Sequence, residues 1–276
     1  MVDNNQIVKC EAAAKRIRRR ILDMTYAIGN VGAHLGGGLS IVELLVGLYL
    51  GNIRFKVDNP MWDGRDRVIL SKGHAAIALY PTMVEAGIIE ETELKTFKQD
   101  GSRLGGHPSL NGLPGIEFAS GSLGQGLSLG VGVCLALRRK NNTESRTFVF
   151  LGDGECDEGS VWEAAASASH YGLNNLVAVV DFNTIQYDGY TKDIMDMSPF
   201  EKKWIDFGWD MLSINGHNIE QILCAYEHKS DKPLVIIAHT IKGKGISFME
   251  NNWQYHNSSL SKALYEQAVV ELEARI

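Results

Sequence analysis

The chain has 276 residues, long enough to bury a sizeable core without cross-links and suited to one large domain or two small ones. Its 45% hydrophobic and 22% charged content excludes a disordered or fibrous chain, and the net charge of −6 argues against nucleic acid as a main partner. Glycine, at 29 residues against only six prolines, exceeds the usual ~7% and points to loops that approach a ligand closely.

Ile7, Cys10, Ala14, Ile17, Ile21, Met24 and Ile28 recur at spacings of three and four, which predicts a helix with one apolar stripe. Its basic run, Lys15, Arg16, Arg18, Arg19 and Arg20, reads as a solvated face, with a partner surface as the alternative; it breaks any apolar run, so no secretory leader is expected. Glycines around His34 end that helix. Ser40, with Glu43 three residues later, predicts a capping box opening a second helix to about Leu50. Phe118–Leu137 is uncharged for twenty residues but only eleven are apolar, which predicts a glycine-rich loop and buried helix rather than a membrane span.

Three apolar runs without alternation, Thr147–Leu151, Leu176–Val180 and Leu234–Ala238, read as strands buried on both faces. Helical patterns at Val161–Tyr171 and Ile219–His228 lie between them, and a last helix is expected at Leu260–Arg275. The alternation predicts an α/β fold with a doubly wound, mainly parallel sheet and helices on both faces, formed by residues 1–276 as a single domain. Cys10, Cys134, Cys156 and Cys224 form no C-x-x-C pair, so a disulfide framework or zinc site is not expected and a reducing cytoplasm is. Cys156 reads as a packed small residue or a reactive thiol.

In such sheets ligands bind beyond the carboxyl ends of the strands. After the strand Thr147–Leu151 comes Gly152-Asp153-Gly154, then Glu155 to Gly159, then a helix. The glycines allow a sharp turn, and the free N–H groups of the helix start favour an anion such as a diphosphate. Asp153 would repel a diphosphate unless a hard cation, Mg²⁺ or Ca²⁺, lay between them. Asn183 follows Asp153 by thirty residues, one strand–helix–strand unit, which returns it to the same sheet edge. Asp153, Asn183 and the Ile185 carbonyl are therefore the expected metal ligands. The rival reading makes Asp153 a turn residue and Asn183 a strand cap.

The run GDGECDEGSVWEAAASASHYGLNNLVAVVDFNTIQYDG, Gly152–Gly189, closely resembles the thiamine-diphosphate motif of transketolases. WDGRDRVILSKGHAA at 62–76, GSRLGGHPS at 101–109, FASGSLGQGLSLGVG at 118–132 and IIAHTIKGKGISFMENN at 236–252 extend the resemblance through nearly the whole chain. The length is less than half that of a full transketolase, so the resemblance is to the N-terminal subunit of a split, two-chain enzyme. It implies thiamine diphosphate with Mg²⁺ or Ca²⁺ as cofactors. It places His34, His74, His107 and His256 around the thiazolium ring, the diphosphate and the sugar hydroxyls as catalytic groups. Imidazole suits such proton transfers near neutral pH. It also implies cofactor contacts from His74, from Ser122, Leu123 and Gly124 in the loop Ser120–Gly126, and from Gly152, Asp153, Gly154, Glu155, Glu158, Asn183 and Ile185. Glu158 falls at the family's interface between active-site halves; its bland alternative is a helix-start carboxylate. Gln186 and Asp188 follow the motif. Lys242 and Lys244 either neutralise phosphate or are solvated loop lysines. After His256 this chain has Asn257 and SSLSK, a departure from the family pattern.

The resemblance further implies a partner. In transketolases a glutamate of the pyrimidine-binding domain activates the cofactor, and no segment here resembles that domain. A C-terminal transketolase subunit is expected to supply it, in a heterotetramer that moves a two-carbon ketol unit from a ketose, usually phosphorylated, to an aldose. Rival readings are a related reaction on a specialised sugar, a non-catalytic subunit retaining the fold, and a nicotinamide-binding oxidoreductase. The last fails because GSLGQG follows no clear strand and has G-x-x-G-x-G rather than G-x-G-x-x-G spacing.

Overall fold

The computed structural model describes residues 2–274. Five parallel strands form one sheet: β1 (Arg67–Leu70), β2 (Thr147–Gly152), β3 (Leu176–Phe182), β4 (Asp210–Asn215) and β5 (Leu234–His239), in the order β1-β2-β3-β5-β4. The helices are α1 (Asn4–Ala27), α2 (Leu35–Leu39), α3 (Val42–Val46), α4 (Ala76–Glu85), α5 (Gln125–Arg139), α6 (Gly159–His170), α7 (Thr191–Ile194), α8 (Phe200–Asp206), α9 (Ile219–Glu227) and α10 (Lys262–Ala274).

Burial on both faces explains why the strand runs lack alternation. Phe148, Phe150, Val177, Val179, Leu234 and Ile236 face one core, which α1–α4, α9 and α10 cover. Val149, Leu151, Ala178, Val180, Val235 and Ile237 face a second core under α5, α6 and α8. The expected doubly wound α/β architecture is therefore present. The three predicted strands extend by one or two residues, and β1 and β4 complete the sheet beyond the sequence reading.

Several local expectations are corrected. The predicted helix from Ser40 to Leu50 is two pieces, α3 and a π-helical turn at Gly47–Asn52, and it follows α2 with only Ser40 and Ile41 between. Ser40 is the C-cap of α2 rather than an N-cap, and its hydroxyl lies 3.1 Å from Gly37 O and donates to Asp181 across the sheet edge at 2.7 Å. Glu43 bonds Arg18 and His217 instead of closing a capping box. Arg18 itself is buried, so the basic run on α1 is not wholly solvated. Arg16, Arg19 and Arg20 pair with Glu85, Asp23, Glu273 and Glu91. The uncharged stretch divides as expected into a loop and α5, and among the described residues no helix is long and apolar enough to cross a membrane. The predicted end of the last helix, Arg275, lies outside the described residues.

Candidate active site

All five strands end on the same side, and the loops that follow them converge there. At its floor the Lys72 ammonium, just beyond β1, pairs with the Asp181 carboxylate of β3; both side chains are almost fully buried. The same carboxylate accepts hydrogen bonds from Ser40 Oγ at 2.7 Å, from Asn183 Nδ2 at 2.9 Å and from Thr240 Oγ1. Burial alone would raise its pKa, but the Lys72 charge and these donors hold it below the ordinary carboxyl value. With its amide nitrogen committed to Asp181, Asn183 turns its oxygen the other way, where it accepts the Ile185 N–H at 3.1 Å.

Asp153 sits above this pair at the end of β2. Its carboxylate accepts the N–H groups of Gly154, at 2.9 Å, and of Thr184. Among the described residues no cationic side chain forms an ion pair with it, and burial together with the nearby Asp181 charge pushes its pKa up to about 7 against the weaker pull of Lys72. Lys242, only 2% exposed, donates to the Ile185 carbonyl at 2.7 Å and lies 3.0 Å from His256 Nδ1. Burial and the Lys72 charge bring its pKa down to about 8.

A cavity of about 150 Å³ opens between these groups. Its walls include Gly37, Lys72, His74, Leu123, Gly152, Asp153, Gly154, Glu155, Asn183, Ile185, Gln186, Tyr187, Lys242 and His256. A larger cleft of about 610 Å³ lies at the amino ends of the strands, beside Arg146, Asn175 and Leu234, away from these groups. The glycines of α2 let the helix backbone approach closely: a β-carbon at Gly37 would stand 2.9 Å from His74 Nε2, and one at Gly36 would stand 3.0 Å from Lys242 Cγ.

The four histidines do come together. Ring centroids lie 5.5 Å apart for His34–His74, 5.4 Å for His34–His107, 5.6 Å for His34–His256 and 5.2 Å for His74–His256. Burial, aided by neighbouring lysines, lowers all four pKa values, to about 4 at His34 and about 3 at His256. All are therefore neutral at pH 7, each with one N–H donor and one basic nitrogen. Tyr187, 62% exposed, sets its ring edge against His256 at 5.1 Å. In the segment where the sequence departs after His256, the Ser258 backbone pairs in both directions with Ala33 beside His34.

Two further clamps fix the loops. The buried Glu155 carboxylate accepts from Ser71 Oγ, from Gly124 N at 2.9 Å and from Gly152 N at 3.0 Å, joining three loops. Arg18 and His217 hold Glu43 at 2.8 and 3.0 Å, while His217 Nε2 accepts the Ile241 N–H at 2.8 Å and Arg18 Nε donates to Lys244 O at 3.0 Å. This network anchors the segment that carries Lys242.

Among the expected site residues, His34 and His107 stand beside the cavity rather than in its wall. Ser122 is exposed and faces a separate cavity of about 280 Å³, Gly124 is buried with its N–H committed to Glu155, and Glu158 is exposed at the start of α6. Lys244 pairs with Glu250 at 3.6 Å, away from the cavity. Cys156 is fully buried with its thiol pKa pushed up by burial, which makes it a packing residue. The cysteines are all unpaired, as expected. Sequence reading missed Lys72, Asp181, Ser40 and Thr240; a lysine just before His74 and a serine just after the glycine-rich helix were the available signals.

The oxygens of Asp153, Asn183 and Ile185 form a hard donor set suited to Mg²⁺ or Ca²⁺. Two observations fit a cation there: Asp153 is disfavoured as an anion without one, and an ammonium already engages the Ile185 carbonyl. Among the described residues no group of three His, Cys, Asp or Glu side chains could hold a metal alone, so ligand oxygens would complete the shell.

A glycine-walled, cationic cavity with hard oxygen donors at the carboxyl edge of a parallel sheet marks a cofactor-binding domain of the diphosphate type. Residues 10–272 match the family model described as "Transketolase, thiamine diphosphate binding domain". The chain belongs to this family, and with it to the transketolase-type transferases. It is 38% identical to one of the subunits of the apulose-4-phosphate transketolase of Phocaeicola vulgatus, over 98% of this chain and 96% of that one. It is 40% identical to the 6-deoxy-6-sulfo-D-fructose transketolase subunit SqwG of Clostridium sp. strain MSTE9, over 98% of each. The Campylobacter jejuni transketolase structure superposes with a TM-score of 0.89 at 29% identity, covering 97% of this chain and 43% of that one.

Two outcomes are expected. Lys72→Met leaves Asp181 buried without its counter-ion and costs about 3–5 kcal/mol in urea unfolding, whereas Lys72→Met/Asp181→Leu recovers part of the loss. Asp153 has a folded pKa of about 7 against an ordinary 3.8, so the native state takes up a proton that the unfolded state does not, and stability falls as pH rises through that window. Asp153→Asn should therefore raise the melting temperature of chelator-treated protein at pH 8, with the gain shrinking as pH falls towards 4.

Proposed function

We propose that this chain is a single diphosphate-binding domain that acts as the N-terminal subunit of a two-chain transketolase. The observation that carries the reading is the oxygen set of Asp153, Asn183 and Ile185 beside Lys242, in a cavity bordered by four neutral imidazoles. On this reading Asp153, Asn183 and the Ile185 carbonyl hold Mg²⁺ or Ca²⁺. Lys242 and the loop Gly152–Glu155 hold the diphosphate, and Leu123 and Tyr187 wall the cavity against water. Bound thiamine diphosphate supplies the electron sink that lets the carbon–carbon bond beside a ketose carbonyl break and re-form. The chain's own share is proton handling: His34, His74, His107 and His256 donate to and accept from sugar hydroxyls while staying neutral. Glu158, exposed at the start of α6, is placed to meet a neighbouring subunit.

The reaction so supported is transfer of a two-carbon ketol unit from a ketose to an aldose. A C-terminal subunit with the pyrimidine-binding domain and activating glutamate completes the site, in a cytoplasmic heterotetramer. A specialised sugar is favoured over a general pentose phosphate pair. Two relatives matched over nearly their whole length are named for apulose 4-phosphate and 6-deoxy-6-sulfo-D-fructose, and both are named as subunits.

The test is a ketol-transfer assay of the chain alone and co-expressed with a chain carrying a pyrimidine-binding domain, with thiamine diphosphate, Mg²⁺ and a panel of sugars. Activity is expected only in the mixture. Asp153→Ala should weaken thiamine-diphosphate binding by roughly 100-fold or more in calorimetry. Normal affinity in that variant would overturn the cation assignment.

A further inference from the structure

The cleft of about 610 Å³ at the amino ends of the strands has no part in the reading above: it shares no wall residue with the cofactor cavity at their carboxyl ends. Val177, Leu234 and the buried Tyr226 give it an apolar side. Arg54, Arg146, Asn174 and Asn175 give it a polar one.

The two arginines are built into this wall side by side. Asp66, 1% exposed, accepts the Arg54 N–H on one carboxylate oxygen at 2.9 Å and the Arg146 N–H on the other at 2.8 Å. One buried carboxylate thus anchors both backbones and is spent on their N–H groups rather than on either guanidinium. The Arg54 guanidinium lies 5.6 Å from the centre of the Trp62 ring, and that of Arg146 lies 4.7 Å from the centre of the Phe148 ring, contacts that limit where each can swing. Of the five N–H donors of the Arg146 side chain, one has an acceptor among the described residues, the Tyr226 carbonyl. Burial disfavours its charge, and Asp66 and Arg54 act on it in opposite directions, so its pKa lies below the ordinary arginine value. The wall also holds two carboxylates, but both are exposed: Glu227, and Glu144, which stands 4.0 Å from Arg54. Lys229 adds an exposed third cation, and His228 is engaged by Asp210 at 2.9 Å.

We infer that this cleft is a second ligand site, for a small metabolite carrying a phosphate monoester or a carboxylate. Arg146 offers the planar fork that such an oxyanion fits, and Arg54 supplies a second charge. The asparagine amides meet hydroxyl groups, and the apolar side covers the rest of the ligand. An oxyanion on Arg146 offsets what burial costs its charge.

The test uses the full chain with thiamine diphosphate and Mg²⁺ present, and three probes with one hexose skeleton: glucose 6-phosphate, glucuronate and glucose. In calorimetry an anionic probe should bind about 10-fold or more tightly than glucose, and Arg146→Met and Arg54→Met should each remove that preference. The tighter of the two anions identifies the oxyanion served. The Arg54 side chain is 39% exposed, so its variant separates loss of binding from loss of folding. Labelling locates the site: phenylglyoxal modification of Arg54, read by mass spectrometry, should be slowed by the anion and not by glucose, in the unaltered chain and in Lys242→Met alike. Protection lost in Lys242→Met would put the ligand in the cofactor cavity and overturn the inference, as would the absence of protection by either anion.

Discussion

The Lys72–Asp181 pair is the constraint on which the rest of the site depends. Removing two charges from water is costly, and the pair is tolerated because every oxygen of Asp181 is engaged. Those engagements gather the α2–α3 junction, the end of β1, the end of β3 and the start of the loop after β5. Ser40, Lys72, Asn183 and Thr240 are far apart in sequence and meet only through this carboxylate. Its orientation of the Asn183 amide, in turn, directs the amide oxygen towards Ile185, where the proposed cation would lie.

The buried carboxylates divide by what they face. Glu43 is held by Arg18 and His217, Glu155 by a hydroxyl and two backbone N–H groups, and Asp181 by Lys72. Each is consumed in joining loops, which makes the site rigid before any ligand arrives. Asp153 differs, with two backbone donors and a like-charged neighbour. That imbalance is stored at the point where a ligand can relieve it, which is how a binding site differs from a well-satisfied polar core.

Much of this was legible in the sequence because it is local. Asp153 and Asn183 were readable as a pair because one strand–helix–strand unit fixes their separation, and β2, β3 and β5 were readable from runs that must be buried on both faces. β1 is only four residues long, and β4 is an edge strand with partly exposed residues, so neither carries such a run. Ser40 and Glu43 matched a local capping pattern, yet partners 141 and 174 residues away outcompete the cap. Lys72 and Asp181 looked like ordinary charged residues at strand ends; their partnership spans 109 residues, and no periodicity encodes it.

On the proposed reading, the division of charge also explains the need for a partner. The site is rich in cations and neutral imidazoles, and its buried acids are bound internally or, at Asp153, left for the proposed cation. Four imidazoles that stay neutral can relay protons among hydroxyls, but they cannot supply a free carboxylate at the cavity to engage a basic ring. Freeing Glu155 or Asp181 for that task would release the loops that shape the cavity. On the proposed reading, the missing acid arrives on another polypeptide.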